Sequence, residues 1–325
     1  MIALWRKKSL GSVRVSTFLC ALVLLAATGL PLLSNPVHST DESATADFIS
    51  FDQTGSASAV MQTSVTRYRH PQSGQVVSLV GAVHIGEKSY YESIQAELDR
   101  HDLVLYELVG GPAPGSPEAL EEDTEDTEDM GASVGFIQVM QRELQSILQL
   151  QHQMDGIDYT RNNMRHADLN GADFARALAE NGLFNIDPKA LLNGIGPAML
   201  DGLGLQAALA SQDENSVNRV RWMMGKMMAN SVSQMAILGI DDIEKPQDLI
   251  LGIRNDQAWK VLQKSIPEGW RRIAIFYGAA HLPDLRRRLL QDGWIFEQIE
   301  WIPAWRIPVE NSENELIPIA REARL

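Results

Sequence analysis

Two tetrapeptides of one pattern, Gly81-Ala82-Val83-His84 and Gly278-Ala279-Ala280-His281, each follow an apolar run and precede a helical one. A third reactive side chain, Glu107, closes the apolar run Leu103-Val104-Leu105-Tyr106. Two imidazoles and a carboxylate suit a divalent ion such as zinc, manganese or cobalt, and that set leaves coordination positions open for water. Water on such an ion becomes a nucleophile near neutral pH, and the ion polarises a carbonyl, so the implied chemistry is hydrolysis. His84 and His281 are the expected metal ligands, with Glu107 a further ligand or the general base that takes a proton from the bound water. Plainer explanations exist for each alone, since a histidine at a strand end is commonly structural and Glu107 could simply pair with an arginine. Repetition of the whole strand, motif and helix context singles out the pair.

Two further groups carry candidate chemistry. In Arg165-His166-Ala167-Asp168, at an expected helix start, Asp168 reads as an N-cap and His166 as another metal ligand or an acid/base. Arg254-Asn255 falls in a helical stretch leading to Trp259. An arginine there could hold a carboxylate, stabilise an oxyanion or orient a substrate carbonyl, a surface ion pair being the plainer reading.

For His84, Glu107 and His281 to act together, their elements must bring them to one edge. Val65 and its neighbours, the turn His70-Pro71-Gln72-Ser73-Gly74, and Gln75 to Val80 read as a hairpin whose second strand runs into Gly81. Tyr91, Ile94 and Leu98 recur at helical spacing and predict a helix over 87–100; the unbroken apolar run 103–106 predicts a strand buried on both faces. The order recurs later. Ile273 to Tyr277 reads as a buried strand, Pro283 sits in the first turn of a helix carrying Leu282, Leu285 and Leu289, Gly293 ends it, and 294–301 reads as the next strand. The expected fold is α/β, a central mixed sheet of two β-α-β-like units each bearing a Gly-x-x-His motif, with a large helical insertion between them. Ligands sit beyond the carboxyl ends of strands in such sheets, which is where all three residues fall.

The domain is expected to span 60–305, with an acidic loop at 110–133, a helical insertion at 134–265 and a C-terminal tail at 306–325. Eight acids between Glu118 and Asp129, behind Pro112, Pro114 and Pro117, read as a solvated loop. In the insertion Ile137, Met140, Leu144, Ile147 and Leu148 fall along one face, and little resembles a strand. Met223, Met224, Met227, Met228 and Met235 crowd one helix, where they read as an adaptable helix contact, a copper site, or an apolar surface for substrate or for a second subunit, hence a homodimer.

Residues 1–39 stand apart. Arg6, Lys7, Lys8 and Arg14 precede the uncharged apolar run 15–33, and Val37 and Ser39 lie before a candidate cleavage point, so the segment reads as a signal peptide or an uncleaved membrane tether. Either way the folded part is exported, to the periplasm or outside the cell. Cys20 lacks the small residues that precede a lipidated cysteine. It is also the only cysteine, so the mature chain is left without disulfides, thiolate metal sites or a cysteine nucleophile. Residues 40–59, small and polar, are expected to be a flexible tether. The formal charge of −14 becomes about −18 without the segment's basic residues, which excludes nucleic acid as a partner.

The two Gly-x-x-His motifs, Tyr106-Glu107 after the first, and Arg254-Asn255 with Trp259 before the second, resemble the TraB/PrgY family, which includes the TIKI metalloproteases. The resemblance covers roughly residues 76–302. It implies an α/β core with a helical insertion and, for the TIKI branch, proteolysis dependent on a divalent metal, with manganese or cobalt favoured over zinc. It picks out His84, Glu107, Arg254, Asn255 and His281, and a peptide or protein substrate. Many relatives carry Glu before the Arg-Asn pair, where this chain has Ile253. The wider group includes members proposed only to bind pheromone peptides or other ligands, so the alternatives to a peptidase are a non-catalytic binding protein using the same pocket and an esterase-like hydrolase of non-peptide substrates.

Overall fold

The computed structural model describes residues 48–53, 58–120, 145–180, 213–238 and 246–308. The N-terminal basic and apolar segment, most of the acidic stretch, Ile137, Met140, Leu144 and the C-terminal tail past Pro308 lie outside them. Among the described residues no helix is long and apolar enough to cross a membrane.

In chain order the first elements are β1 (Ile49–Asp52), β2 (Ser58–Arg69), β3 (Val76–Ala82), β4 (Ile85–Gly86), α1 (Lys88–Leu98) and β5 (Leu103–Tyr106). Next come β6 (Gln151–His152), α2 (Gln153–Gly156), β7 (Met164–His166), α3 (Gly171–Glu180), α4 (Glu214–Leu238) and α5 (Pro246–Ser265). The last described elements are β8 (Arg272–Gly278), α6 (Leu282–Gln291) and β9 (Ile295–Pro308).

The fold is α/β around one mixed sheet. Strands β3, β8, β5 and β7 lie side by side in that order, all parallel. Strand β2 runs antiparallel to β3, β9 pairs along the length of β2, and β1 pairs with β2 beyond the end of β3. Parallel neighbours need crossovers. The chain therefore leaves β3, forms α1 and enters β5, while β8 arrives much later to fill the place between them. Register pairs Ala82 with Gly278 and Gly81 with Tyr277, so the two Gly-x-x-His segments emerge next to each other, staggered by one residue.

Continuous apolar runs made these strands central. All four residues of β5 are buried, as are Ile273 to Tyr277 of β8, because helices and loops cover both faces of parallel strands. Helix α1 buries Tyr90, Tyr91, Ile94 and Leu98, and α6 buries Leu282, Leu285 and Leu289. Each fully buried leucine contributes roughly 1.5–3 kcal/mol. Pro283 sits in the first turn of α6, and Gly293 turns the chain out of it at φ 85°.

Three expectations are corrected. Within 40–59, Phe48 is fully buried and Ile49–Asp52 pair with β2, so this part is sheet, not tether. A four-residue edge strand is too short to show a period in a polar stretch. Strand β9 likewise runs past 305 to Pro308. Within 134–265, β6 pairs with β4 and β7 joins the main sheet beside β5. Strand β7 puts only Met164 into the core and is tied in by backbone: Val104 N–H donates to Asn163 O at 2.7 Å and Ala167 N–H to Tyr106 O at 3.0 Å.

The methionine helix is α4, which packs on the antiparallel side of the sheet, against β1, β2 and β9. Met224 is buried there, while Met223, Met227 and Met228 are partly buried against the core. The Met235 side chain lies outside the described residues.

Candidate functional site

Glu107 stands one residue past β5, where the sheet stops. Its backbone N–H donates to Phe276 O at 3.1 Å, the last step of the ladder between β5 and β8. The next donor of that ladder, Gly278 N–H, bonds the Glu107 side chain instead, 2.5 Å from Oε2. Glycine lets the carboxylate come this close, because a Cβ on Gly278 would lie 3.2 Å from the same oxygen, tighter than an ordinary contact. The other oxygen, Oε1, takes a hydrogen bond from Arg254 of α5.

Arg254 also grips Asp168, with Nε 3.1 Å from Oδ1 and Nη2 2.6 Å from Oδ2. One guanidinium thus joins two buried carboxylates from the ends of β5 and β7, the plainer reading of Glu107 made concrete. Burial pushes the Glu107 carboxyl up, but Arg254, His281 and His84 outweigh it and hold it well below the usual carboxylate range. Burial likewise works against the Arg254 charge, and the two carboxylates override it, so Arg254 is held charged.

His281 lies in a short 3-10 turn, Ala279–His281, between β8 and α6, almost wholly buried and edge-on to the Tyr277 ring at 5.2 Å. Its Nδ1 is 2.7 Å from Asn255 Oδ1. The Asn255 amide can face only one way, because its Nδ2 lies 2.9 Å from Asp284 Oδ2 and 3.4 Å from the His281 carbonyl, both acceptors. Nδ1 must then be the donor, and Nε2 faces Glu107 Oε1 at 3.4 Å. Arg288 Nε holds Asp284 at 2.8 Å and Arg287 Nη2 at 2.5 Å.

His84 follows β3 and is half-buried. Its carbonyl accepts Gln153 N–H at 2.8 Å, which brings α2 against the first Gly-x-x-His segment. Burial lowers the His84 pKa; Glu107 draws it up, and Arg254 and His281 push it down. The Gln153 side chain also draws it up. That amide gives its Nε2 to Tyr159 Oη at 2.9 Å, leaving a buried Oε1 without a hydrogen bond of good geometry. The net shift is downward, so His84 is a neutral imidazole at neutral pH.

Sequence-expected residues divide accordingly. His84, Glu107, His281 and Arg254 form one electrostatic group, and Asn255 supports it from behind, fully buried. His166 sits at the end of β7 with its Nε2 bonded to Leu108 O at 2.7 Å and its ring against Tyr106. Asp168 is not the helix cap: Asn170 Oδ1 accepts Asp173 N–H at 2.8 Å and takes that role for α3, freeing Asp168 for Arg254. Glu118, expected to be solvated, has its Oε2 2.6 Å from the backbone N–H of His166.

Two contributors were not singled out from the sequence. Asp284 has the signature of an ordinary acid in a helix first turn, which the helix dipole favours without any site. Gln153 carries no signal, since its role depends on α2 docking beside His84.

The edge therefore offers a fixed carboxylate, a neutral imidazole, and a second imidazole whose outward nitrogen faces the carboxylate. Among the described residues, no three His, Asp or Glu side chains are gathered closely enough to form a ready-made metal cage. Comparison with known proteins finds no matching family model, no matching curated protein and no matching solved structure.

Proposed function

We propose that the chain is an exported hydrolase dependent on a divalent metal, a peptidase of the TraB/PrgY and TIKI kind, acting at the carboxyl edge of β3, β5 and β8. The basic and then apolar N-terminal segment supports export, and the doubled Gly-x-x-His device with Glu107 and Arg254-Asn255 supports the family.

One observation carries the reading. With Nδ1 turned to Asn255 Oδ1, the lone-pair position of His281 Nε2 points at a carboxylate oxygen 3.4 Å away. Two lone pairs so placed repel unless a proton or a cation lies between them. His281, Glu107 and His84 are the residues that would hold the ion, manganese or cobalt by resemblance and zinc by donor type. When bound, it supplies an acidified water and polarises the scissile carbonyl.

The chain's own groups take distinct parts. Glu107 is taken as a ligand rather than the base, since Arg254 and the Gly278 N–H hold its two oxygens in place. His84 presents a neutral nitrogen. Arg254 is engaged with Glu107 and Asp168, so it fixes Glu107 instead of orienting substrate. Asn255 is fully buried and acts on His281.

The rival reading, a non-catalytic protein that binds a peptide or small ligand, is favoured by the open arrangement of the donors. Incubating the purified protein with a peptide library, with and without manganese, separates the two. Metal-dependent cleavage lost with chelator supports the peptidase; binding without turnover and indifferent to chelator supports the rival. Hydrolysis of esters alone would retain the site and change the substrate class.

A further inference from the structure

We infer that Asp284 is a positioning residue for His281, acting through the Asn255 side chain to keep the His281 proton on Nδ1 and its Nε2 toward Glu107. The inference deepens the proposed hydrolase and takes its purpose from that reading.

The two ends of a carboxamide are nearly the same size, so an asparagine beside a histidine fits either way round. Turned one way its oxygen selects a ring protonated on the near nitrogen; turned the other way its NH2 selects the opposite tautomer. What decides is the group behind the amide. Here it is Asp284, an acceptor 2.9 Å from Asn255 Nδ2. Asp284 is itself held in place, 2% exposed, with Arg288 and Arg287 on its two oxygens. Metal-binding histidines commonly owe ring orientation and tautomer to such an outer partner. In this chain the fixing extends one residue further back, to the first turn of α6, so the helix that follows the second Gly-x-x-His segment also orients its histidine.

The test reads the tautomer directly. Chelator-treated protein labelled with 15N-histidine is examined by long-range 1H–15N correlation at about pH 8, above the ordinary histidine range near ~6.5. The His281 signals are assigned by their loss in His281→Asn. Wild type is expected to show a proton on Nδ1, the nitrogen that faces Asn255 Oδ1. Asp284→Ala is expected to lose the Nδ1 proton from part of the population, with the form protonated on Nε2 alone appearing, and Asp284→Asn, whose side-chain oxygen still accepts from Asn255, is expected to restore it. If Asp284→Ala does not fold, Asp284→Leu removes the acceptor while refilling its volume. A wild-type His281 without a proton on Nδ1, or an Nδ1 proton unchanged by the Ala or Leu replacement, overturns the inference. Because no metal or substrate is present, these outcomes are independent of whether the protein is a hydrolase.

Discussion

Gly278 N–H lies 2.5 Å from Glu107 Oε2, so the side chain of one central strand's end completes the backbone ladder of its neighbour. That link makes Gly278 a sensitive position with little core at stake. Gly278→Ala places a methyl 3.2 Å from the carboxylate oxygen and obliges Glu107 to shift. The expected result is at least a tenfold loss of hydrolytic kcat/KM, about 1.4 kcal/mol, with the urea midpoint little changed. A variant of unchanged activity would show that Glu107 does not need this placement.

Arg254 joins Glu107 and Asp168, both buried. Arg254→Ala leaves the two carboxylates without their cation, and breaking a buried pair in this way costs roughly 3–5 kcal/mol. Urea denaturation of the variant is expected to show a loss of that size. A loss below about 1 kcal/mol, the scale of an exposed ion pair, would contradict the burial of this network.

Asn255 bridges His281 and Asp284. Asn255→Leu fills the space but leaves the His281 ring nitrogen without its partner, while Asp284 Oδ2 keeps its bond from Arg288. About 1–3 kcal/mol per unsatisfied buried group is expected in the same unfolding measurement. Asn255→Asp should destabilise as well, by setting a second carboxylate against Asp284.

His101, remote in role from the site, gives the protein an acid limb. It bonds Ser78 Oγ through Nε2 at 2.8 Å and the Glu97 carbonyl through Nδ1 at 2.9 Å. Burial lowers its pKa below 6.5, against a smaller upward pull from the Glu97 carbonyl and carboxylate. The unfolded chain, whose histidine titrates near ~6.5, then takes up the proton first. This contribution to stability is complete above that pH and is lost as pH falls below it. The urea midpoint should drop between about pH 7.5 and 5.5, and less steeply in His101→Gln. His84, lowered in the same direction, remains in that variant, so the slope shrinks without vanishing.

Much of the frame was legible because it rests on apolar runs. Strands β3, β5 and β8 declare themselves as unbroken hydrophobic segments, and His84, Glu107 and His281 stand where those segments end. Strands β1 and β7 do not, since four and three residues held by neighbouring backbone leave no period to read. Within the site, residue type was legible and pairing was not. Arg254 is visible as an arginine in a helix, yet its two carboxylates come from residues 107 and 168 and meet only after the sheet is assembled. Asp284 looked like helix-start chemistry, and only the position of Asn255 on α5 gives it another task.

The most direct test of the account is calorimetric titration of chelator-stripped protein with Mn2+ and Co2+, in the wild type and in His84→Ala and His281→Ala. A shared site predicts one ion per chain in the wild type and at least a tenfold weaker affinity in each variant, about 1.4 kcal/mol or more. An affinity unaltered by either replacement, or a wild-type protein that binds neither ion, would contradict it.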